Sequence, residues 1–329
     1  MAGKEKNLIR VIEKFKDKKI LVIGDIMLDK YIWGEVSRIS PEAPVQIVNV
    51  MNEENVPVGA ANVAVNIASL NAKVSVLGIV GNDDTKLDLI KELKKRNVDT
   101  SSLVTDESKN TILKVRVFGR KQQLLRFDYE KKDNISKKTE QKLVDIINKK
   151  IDDVDAIVIS DYAKGTITRD LMEKLKIVCK EKNKVIVVDP KPEHKEFYNN
   201  VTLITPNHSE AHKMTKFMED EDIEIDAEKM GRELLKDLKS NILITRGEKG
   251  MSLFEKNGKV THIPTFAKEV YDIIGAGDTA VAALTLALAS GAGFEESAII
   301  ANHAAGIVVG KIGTSAVTTE ELRKSIENG

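Results

Sequence analysis

The chain is poor in cysteine, proline and aromatic residues, and it has no excess of charge of either sign. Its 329 residues include one cysteine, seven prolines and 4% aromatic residues, with 51 basic and 51 acidic side chains. A lone cysteine, Cys179, excludes an intramolecular disulfide. A formal net charge of zero removes the general attraction to nucleic acid and to anionic membranes, so any polyanion site has to be local. We therefore expect neither a nucleic-acid partner nor a membrane partner.

Long apolar runs are also missing. No stretch approaches the roughly 20 apolar residues that span a bilayer, and residues 1–19 lack the charged-then-apolar pattern of a secretory signal. Together with the single cysteine, these absences predict a cytoplasmic protein. The chain does contain 42% hydrophobic residues, enough for a packed core in one large domain or two ordinary ones.

Short runs rich in Val and Ile recur along the chain and are separated by helical patterns. Such runs are typical of strands covered on both faces, and apolar residues at three- and four-residue spacing are typical of helices packed on a parallel sheet. The predicted strands are 19–25, 73–80, 156–160, 185–189, 201–205 and 242–245, and the predicted helices are 62–70, 86–96, 138–149, 168–180 and 228–238. These patterns predict an α/β fold with a doubly wound, mainly parallel sheet flanked by helices.

Two stretches, about 31–51 and 109–130, interrupt this alternation with rough period-two patterning. Half-exposed strands inserted at two separated points have to meet in space to bury their apolar faces, so we place them in one small antiparallel sheet beside the main sheet. Without an internal repeat or a low-complexity linker, we expect a single domain over 1–329 with this sheet as a lid. Because an exposed lid is also a pairing surface, we expect a homodimer through it.

The strongest local signal for chemistry is the segment Asp272-Ile-Ile-Gly275-Ala276-Gly277-Asp278, followed by an Ala- and Leu-rich helical run. A Gly-Ala-Gly turn at a helix start exposes backbone N–H groups at the positive end of the helix dipole, which favours an anion. An aspartate in the first helical turn is suited to accept a proton from a nucleophile that attacks phosphorus. The same pattern fits an acidic helix cap, and the turn alone leaves both interpretations open.

This segment resembles the second signature of the ribokinase-like (PfkB) carbohydrate kinases. Three further segments resemble that family in order and spacing, namely 59–64 (Gly-Ala-Ala-Asn-Val-Ala), 207–210 (Asn-His-Ser-Glu) and 245–250 (Thr-Arg-Gly-Glu-Lys-Gly). The resemblance spans essentially the whole chain, including the lid. It implies a ribokinase-like fold and a phosphotransferase that uses ATP and Mg²⁺ and has a sugar hydroxyl as acceptor.

Within that family the chain is most similar to heptose 7-phosphate kinases, the kinase half of ADP-heptose synthesis enzymes. The segments that carry this similarity are 24–29, 36–45, 123–126, 160–165, 188–191 and 304–311. The resemblance implies heptose 7-phosphate as substrate and heptose 1,7-bisphosphate as product. The His-containing signature of the nucleotidyltransferase domain of bifunctional relatives is missing, so we expect the kinase step alone. The chain departs from the family at Val58, where a second glycine is usual, and at Ile273 and Ile274, where a threonine is usual.

The resemblance assigns roles to individual residues. Asp278 is the expected general base, and Gly275, Ala276 and Gly277 are the expected anion hole for the transferred phosphoryl group. Further expected nucleotide-binding residues are Thr245, Gly247, Gly250 and Asn302. The expected sugar-phosphate-binding residues are two hydrogen-bonding side chains, one glycine and four cations: Asp29, Asn62, Gly59, Arg38, Arg126, Lys164 and Lys191. Each cation is equally compatible with a solvated surface charge.

Asn207 and Glu210 are expected to bind the nucleotide by organising Mg²⁺ and its waters, with Glu210 as the metal ligand. The same two residues also form a helix-capping pattern, and both roles can hold at once. His208 and His212 are four residues apart, as zinc ligands on a helix are, but Glu210 lies about 200° around the helix from each and cannot be the base of a metalloprotease motif. We expect no zinc site.

Other sequence features bear on alternative functions. A kinase for a free sugar or a nucleoside is the nearest alternative, although the low aromatic content offers few rings on which a base can stack. A non-catalytic sugar or nucleotide sensor is the alternative of a different class, and it would not need Asp278. A dinucleotide fingerprint at Gly78–Gly81 lacks its third glycine. A Walker-type site at Gly310-Lys311 lacks the following Ser or Thr.

Overall fold

Apolar strands alternate with helices along most of the chain in the computed structural model, which describes residues 2–120, 122–215, 217, 223–267, 269–311 and 315–328. In chain order the strands are β1 (Lys19–Gly24), β2 (Ile26–Ile39), β3 (Gln46–Gly59), β4 (Lys73–Leu77), β5 (Ile79–Val80), β6 (Val104–Thr105), β7 (Ile112–Gly119), β8 (Gln122–Tyr129), β9 (Ala156–Ser160), β10 (Val185–Asp189), β11 (Leu203–Ile204), β12 (Asn241–Thr245), β13 (Met251–Phe254) and β14 (Val260–Ile263). The α-helices are α1 (Ala2–Glu13), α2 (Ala60–Ser69), α3 (Asp84–Lys95), α4 (Lys137–Lys150), α5 (Arg169–Glu181), α6 (His208–Met214), α7 (Ile223–Leu238), α8 (Ala276–Ala289), α9 (Phe294–Val309) and α10 (Thr319–Glu327).

The main sheet has the strand order β14-β13-β12-β11-β10-β9-β1-β4. Neighbouring strands are parallel from β4 to β12, whereas β13 and β14 are antiparallel at one edge. The prediction of a mainly parallel sheet is therefore confirmed. The antiparallel edge was not predicted, because each of its strands has only 4 residues. The carboxyl ends of the parallel strands meet at one edge of the sheet, so the residues that follow β9, β10, β11 and β12 come together there.

Burial on both faces explains the uninterrupted apolar runs of the parallel strands. In β1, Ile20 and Val22 belong to the hydrophobic cluster that includes α2, α8 and α9, whereas Leu21 and Ile23 belong to the cluster that includes α4 and α5. Alternate residues of one strand thus pack into two different cores, as the covered faces of a parallel sheet require. Cys179 on α5 fills the second core, where burial raises the pKa of its thiol to about 12.

Helix starts are set by capping side chains. Asp83, Ser136 and Thr168 each accept a hydrogen bond from the backbone N–H three residues later, at the starts of α3, α4 and α5. Such caps typically contribute about 1 kcal/mol. They explain why these helices begin one or two residues away from the starts predicted from apolar spacing alone.

The lid is a four-stranded sheet with the order β3-β2-β7-β8. A shared sheet of the two inserted stretches was predicted, but the structure differs from the prediction in two respects. The strands β2 and β3 reach to Ile26 and Gly59, beyond the expected 31–51, because only Asp25 separates β2 from β1. The central pair β2–β7 is parallel, since it joins two separate hairpins, whereas a wholly antiparallel sheet was expected.

A bilayer-spanning helix would need both length and a sustained apolar surface. None of the helices in the described part of the chain combines the two.

Candidate active site

A cavity of about 170 Å³ opens at the carboxyl edge of the main sheet, against the first turn of α8. Its lining includes seven of the site residues predicted from the sequence: Lys191, Asn207, Glu210, Thr245, Gly275, Gly277 and Asp278. It also includes three polar residues that were not predicted as site residues: Tyr162, Asp189 and Thr205. Ala276 begins α8 between the two cavity-lining glycines.

Asp278 is buried, with 8% of its surface exposed, yet each of its carboxylate oxygens has a donor. The Nδ2 group of Asn62 donates to Oδ2 at 2.7 Å, and the hydroxyl of Tyr162 donates to Oδ1 at 3.2 Å. Burial raises the pKa of Asp278 to about 6, while the two donors and the nearby Lys191 ammonium oppose that rise. The group is therefore mostly ionised at neutral pH and still basic enough to accept a proton.

A buried polar ladder between α2 and α8 fixes this arrangement. Asn66 Nδ2 donates to the backbone carbonyl of Asn62 at 2.9 Å, and Thr279 Oγ1 donates to Asn66 Oδ1 at 2.7 Å. Two successive residues of α8, Asp278 and Thr279, are thus tied to two residues one turn apart on α2. Gly275 caps α8 with a φ of 80°, and a Cβ added there would lie 3.1 Å from Asn62 Nδ2. The glycine lets the turn approach α2 closely.

Gly59, a predicted substrate residue, makes the corresponding turn into α2. Its φ is 66°, and an added Cβ would lie 2.5 Å from Met27 Cε and 2.7 Å from the carbonyl oxygen of Asp25. The same carbonyl accepts a hydrogen bond from Ala60 N at 3.1 Å. Gly59 therefore supports the placement of Asn62 through backbone geometry.

Lys191 lies across the cavity from the first turn of α8. Its Nζ pairs with Glu210 Oε1 at 2.8 Å and lies 4.8 Å from the centre of the Tyr162 ring. Its backbone N–H donates to the hydroxyl of Tyr198 at 3.0 Å, and that hydroxyl donates to Asp161 Oδ2 at 2.6 Å. The predicted cation is thus held at the site from both its side chain and its backbone.

Asn207 and Glu210 form the predicted cap at the start of α6. Asn207 Oδ1 accepts from Glu210 N at 2.8 Å, and Glu210 Oε2 accepts from Asn207 N at 3.0 Å. Asp189 lies close enough for its pKa to be raised first by burial and then by the carboxylates of Asp278 and Glu210. Three carboxylates and Lys191 therefore share one small cavity.

The predicted nucleotide residues Thr245, Gly247, Gly250 and Asn302 occupy three places. Thr245 lines the cavity and bridges to Asn207. Gly247 and Gly250 form a tight turn after β12, with φ values of 57° and 78°, and they do not line the cavity. Asn302 is buried on α9 and donates to the carbonyl of Pro264 at 2.6 Å, so its amide supports a loop and does not reach into the cavity.

Three further predicted sugar-phosphate-binding residues, two in the lid and Lys164 in the loop after β9, are held in ion pairs. Asp29 pairs with Arg116, Arg126 Nε lies 3.0 Å from Asp128 Oδ1, and Lys164 Nζ lies 2.8 Å from Glu130. Asp29 is only 4% exposed, and its Oδ1 atom has no hydrogen-bond partner among the described residues. The remaining candidate, Arg38, is exposed near the far end of β2, about 30 Å along the strand from Asp29, and the structure does not bring it to the cavity.

Tyr162, Asp189 and Arg116 are the functional candidates that were missed. Arg116 shares a face of β7 with Lys114 and lies opposite Arg126 on β8, so strand alternation could have indicated it. Asp189 ends a predicted strand at the carboxyl edge, which is also a usable signal. Tyr162 lies in the loop after β9, and no local pattern indicates that its hydroxyl reaches α8.

His208 and His212 both approach Asp226, with Nε2 to Oδ2 distances of 3.4 and 3.1 Å. In the parts of the chain that the structure describes, no group of three or more His, Cys, Asp or Glu side chains is arranged to hold a metal ion directly.

Comparison with known proteins shows to which family the sequence is similar. The model of the pfkB family of carbohydrate kinases matches residues 17–321. The protein named bifunctional protein HldE of Geobacter sulfurreducens is 42% identical over 308 residues, which cover 93% of this chain and 62% of that protein. Its namesake in Haemophilus influenzae is 44% identical over 315 residues, covering 95% of this chain and 64% of that protein. The chain thus spans less than two thirds of the length of these relatives.

Solved structures show the same fold at low sequence identity. Arabidopsis thaliana ribokinase, complexed with ribose and ATP, has a TM-score of 0.72 at 19% identity, covering 94% of this chain and 99% of that one. Phosphofructokinase-2 from Escherichia coli, in complex with potassium, has a TM-score of 0.76 at 18% identity, with the same coverage. The fold is therefore ribokinase-like, as predicted. Because the family model and the relatives above 40% identity both extend over most of the sequence, the chain belongs to the pfkB family of carbohydrate kinases.

Proposed function

We propose that this chain transfers the γ-phosphoryl group of ATP to a hydroxyl of a sugar phosphate, converting heptose 7-phosphate to heptose 1,7-bisphosphate for ADP-heptose synthesis. The observation that carries the transfer step is the buried, doubly hydrogen-bonded carboxylate of Asp278 in the first turn of α8. The similarity of segments 24–29, 36–45, 160–165 and 188–191 to heptose 7-phosphate kinases carries the choice of sugar. We further propose that the kinase forms a single domain and acts in the cytoplasm.

Asp278 accepts the proton of the attacking sugar hydroxyl as its oxygen bonds to the γ-phosphorus and the bond to ADP breaks. A pKa of about 6 leaves the carboxylate about nine-tenths ionised at pH 7. The backbone N–H groups of Gly275 and Gly277 lie at the positive end of α8, where they can donate to the transferred phosphoryl group, whereas the N–H of Ala276 donates to the carbonyl of Ile273 at 3.3 Å. Lys191 supplies a full positive charge on the other side of the cavity.

Glu210 and Asn207 carry carboxylate and amide oxygens, which are the ligand atoms that Mg²⁺ prefers. Both carboxylate oxygens of Glu210 already have partners, Lys191 Nζ and the N–H of Asn207. We therefore propose that Glu210 holds the ion through its waters, since Mg²⁺ usually keeps several of them. When bound, the ion neutralises charge on the nucleotide phosphates.

The lid offers a place for the phosphate that the substrate already carries. Near its junction with the cavity, five cations lie among three carboxylates; the cations are Lys114, Arg116, Arg126, Lys132 and Lys164, and the carboxylates are Asp29, Asp128 and Glu130. A phosphate monoester, which carries about −1.5 to −2 at neutral pH, is a partner that these cations can bind in place of their present carboxylates. The pKa of Tyr31 on this face is raised by burial, then by Asp29 and also by Asp272, so the face lies close to the segment that precedes α8.

The opposite face of β8 is apolar and exposed. Leu125, Phe127 and Tyr129 alternate with the charged Arg126 and Asp128, and their exposed fractions are 56%, 38% and 51%. β8 is an edge strand of the lid. We propose that this face forms a homodimer through the lid, because edge strands with exposed apolar residues favour pairing.

Sedimentation velocity tests the dimer. We expect the wild type to sediment at twice the mass of 36.4 kDa. Replacing Leu125 with Lys introduces like charges at the interface, so the variant should sediment as a monomer. A wild type that stays monomeric at tens of micromolar would contradict the proposal.

Replacement of Asp278 tests the general base. In Asp278→Asn the carboxylate is lost but the shape is kept, so we expect ADP release to fall by about 10³-fold or more while ATP binding, measured by calorimetry, changes little. Asp17→Asn, at an exposed aspartate before β1, is the matched control and should retain wild-type activity. An Asp278→Asn enzyme with near wild-type turnover would remove Asp278 from the proposed mechanism, and a wild type that releases no ADP with any sugar would favour a sensor.

A substrate panel tests the sugar-phosphate assignment. We expect heptose 7-phosphate to give a higher kcat/KM than free heptose, ribose, fructose or nucleosides. In Arg116→Gln the KM for heptose 7-phosphate should rise about tenfold or more, because a hydrogen bond to a charged phosphate is lost, while kcat changes less. Arg232→Gln, at an exposed Arg–Glu pair on α7, is the control. If a free sugar or a nucleoside is the best substrate, the assignment is wrong.

A further inference from the structure

Tyr162 contacts two charged groups of the cavity with two different parts of its side chain. Its hydroxyl donates to Asp278 Oδ1 at 3.2 Å. The centre of its ring lies 4.8 Å from Lys191 Nζ, within the range of a cation–π interaction. One side chain thus joins the aspartate at the start of α8 to the cation that follows β10.

The backbone around Tyr162 is held by more bonds than a surface loop ordinarily has. The buried carboxylate of Asp25 accepts hydrogen bonds from the N–H groups of Tyr162, Lys164 and Thr166 at 2.9, 3.0 and 3.1 Å. Asp161 Oδ1 accepts a fourth, from Ala163 N at 2.7 Å. Asp25 directly follows β1, so the loop is fixed to the central sheet and the ring has a defined position.

The loop contains two residues of positive φ, of which Ala163 adopts its conformation against local preference and Gly165 is a residue type that tolerates it. Ala163 has a φ of 53°, in the left-handed region that a non-glycine residue rarely adopts. Gly165 has a φ of 97°, and a Cβ added there would lie 2.1 Å from the carbonyl oxygen of Asp133. Left-handed residues persist where the surrounding bonds over-determine the chain, and such sites cluster where function needs fixed geometry.

The hydroxyl of Tyr162 remains a donor at every working pH. Its pKa is raised well above the usual value, first by the Asp278 carboxylate and then by burial. An ionised carboxylate is an acceptor only, so this hydrogen bond favours the charged form of Asp278. The other charged groups facing Asp278 are Lys191, which also favours the charged form, and the carboxylates of Asp189 and Glu210, which oppose it.

We propose that Tyr162 is a positioning residue for phosphoryl transfer, whose hydroxyl orients the proton-accepting carboxylate of Asp278 while its ring holds Lys191 across the cavity. This inference rests on the proposed function. Each carboxylate oxygen of Asp278 can accept two hydrogen bonds, so the bonds from Asn62 and Tyr162 leave capacity for the sugar hydroxyl. Lys191 stays on the aromatic face when the nucleotide phosphates compete for its ammonium group and Mg²⁺ competes for its present partner, Glu210.

Three variants separate the two contacts. Tyr162→Phe removes the hydroxyl and keeps the ring, Tyr162→Leu removes both, and 3-fluorotyrosine incorporated at position 162 keeps both and makes the hydroxyl a stronger donor. Ser101→Ala, which removes an exposed hydroxyl that donates to the carboxylate of Asp99 at 3.0 Å, is the matched control. The measurement is kcat and KM for ADP release between pH 5 and 9, with ATP, Mg²⁺ and the sugar that the wild type phosphorylates fastest. Thermal melting reports whether each variant folds.

The expected signature is a movement of the acidic limb of the pH profile. Loss of a donor to the charged form raises the pKa of Asp278, so Tyr162→Phe should move the limb up by roughly one pH unit. Activity then falls about fivefold at pH 6 and little at pH 8.5, mostly in kcat, because the ionised fraction of Asp278 falls from about one half to about one tenth at pH 6. The fluorotyrosine enzyme should move the limb downwards. Tyr162→Leu should also lower kcat at all pH values, and Ser101→Ala should match the wild type.

Results that contradict the role of Tyr162 can be distinguished from results that contradict the role of Asp278. If the folded Tyr162→Phe and fluorotyrosine enzymes keep the acidic limb of the wild-type pH profile, the inference is wrong. It is also wrong if both enzymes lose activity equally at all pH values, because Tyr162 then has only a structural role. If Tyr162→Phe does not fold, the fluorotyrosine enzyme alone decides between the two outcomes. An active Asp278→Asn enzyme would overturn the proposed base itself, whereas an inactive one combined with unmoved limbs would overturn the role of Tyr162 alone.

Discussion

The burial of one carboxylate constrains much of this site. Asp278 is 8% exposed and shares a cavity with the carboxylates of Asp189 and Glu210. A charge in that position is unstable unless donors and a counter-ion are brought to it, because burial penalises the ionised form. Three separate parts of the chain supply them: Asn62 from α2, Tyr162 from the loop after β9, and Lys191 from the segment after β10.

The parallel sheet makes this convergence possible. Because β9, β10, β11 and β12 end at one edge, short loops deliver Tyr162, Lys191, Asn207 and Thr245 to the same cavity. α8 begins there and buries the rest of its length between α2 and α9, so its first turn cannot shift without disturbing the core. The lid starts one residue after β1 and places its charged face beside the segment preceding α8. The packing of the core and the polar cavity are thus parts of one arrangement.

The features of the fold and of the site that depend on a local sequence pattern could be predicted. Strands 156–160 and 185–189 were placed at their observed bounds, since each is a short Val- and Ile-rich run. The position of Asp278 followed from the glycines and the apolar helix beside it. The contact of Asp278 with Asn62 spans 216 residues, and no local pattern encodes it. For the same reason Tyr162 and the parallel β2–β7 pair were missed, and the distance of Arg38 from the cavity could not be predicted before the length of β2 was known.

The proposed phosphoryl-transfer mechanism depends most on the ionisation of Asp278. Carbon-13 NMR of protein labelled at aspartate carboxyl groups measures it directly, with the resonance assigned by its loss in Asp278→Asn. We predict a titration midpoint near pH 6 in the free protein, because burial raises the pKa while Asn62, Tyr162 and Lys191 limit the rise. A midpoint near 4, the ordinary aspartate value, would contradict the proposed mechanism, because the pKa of Asp278 would then not be raised by burial.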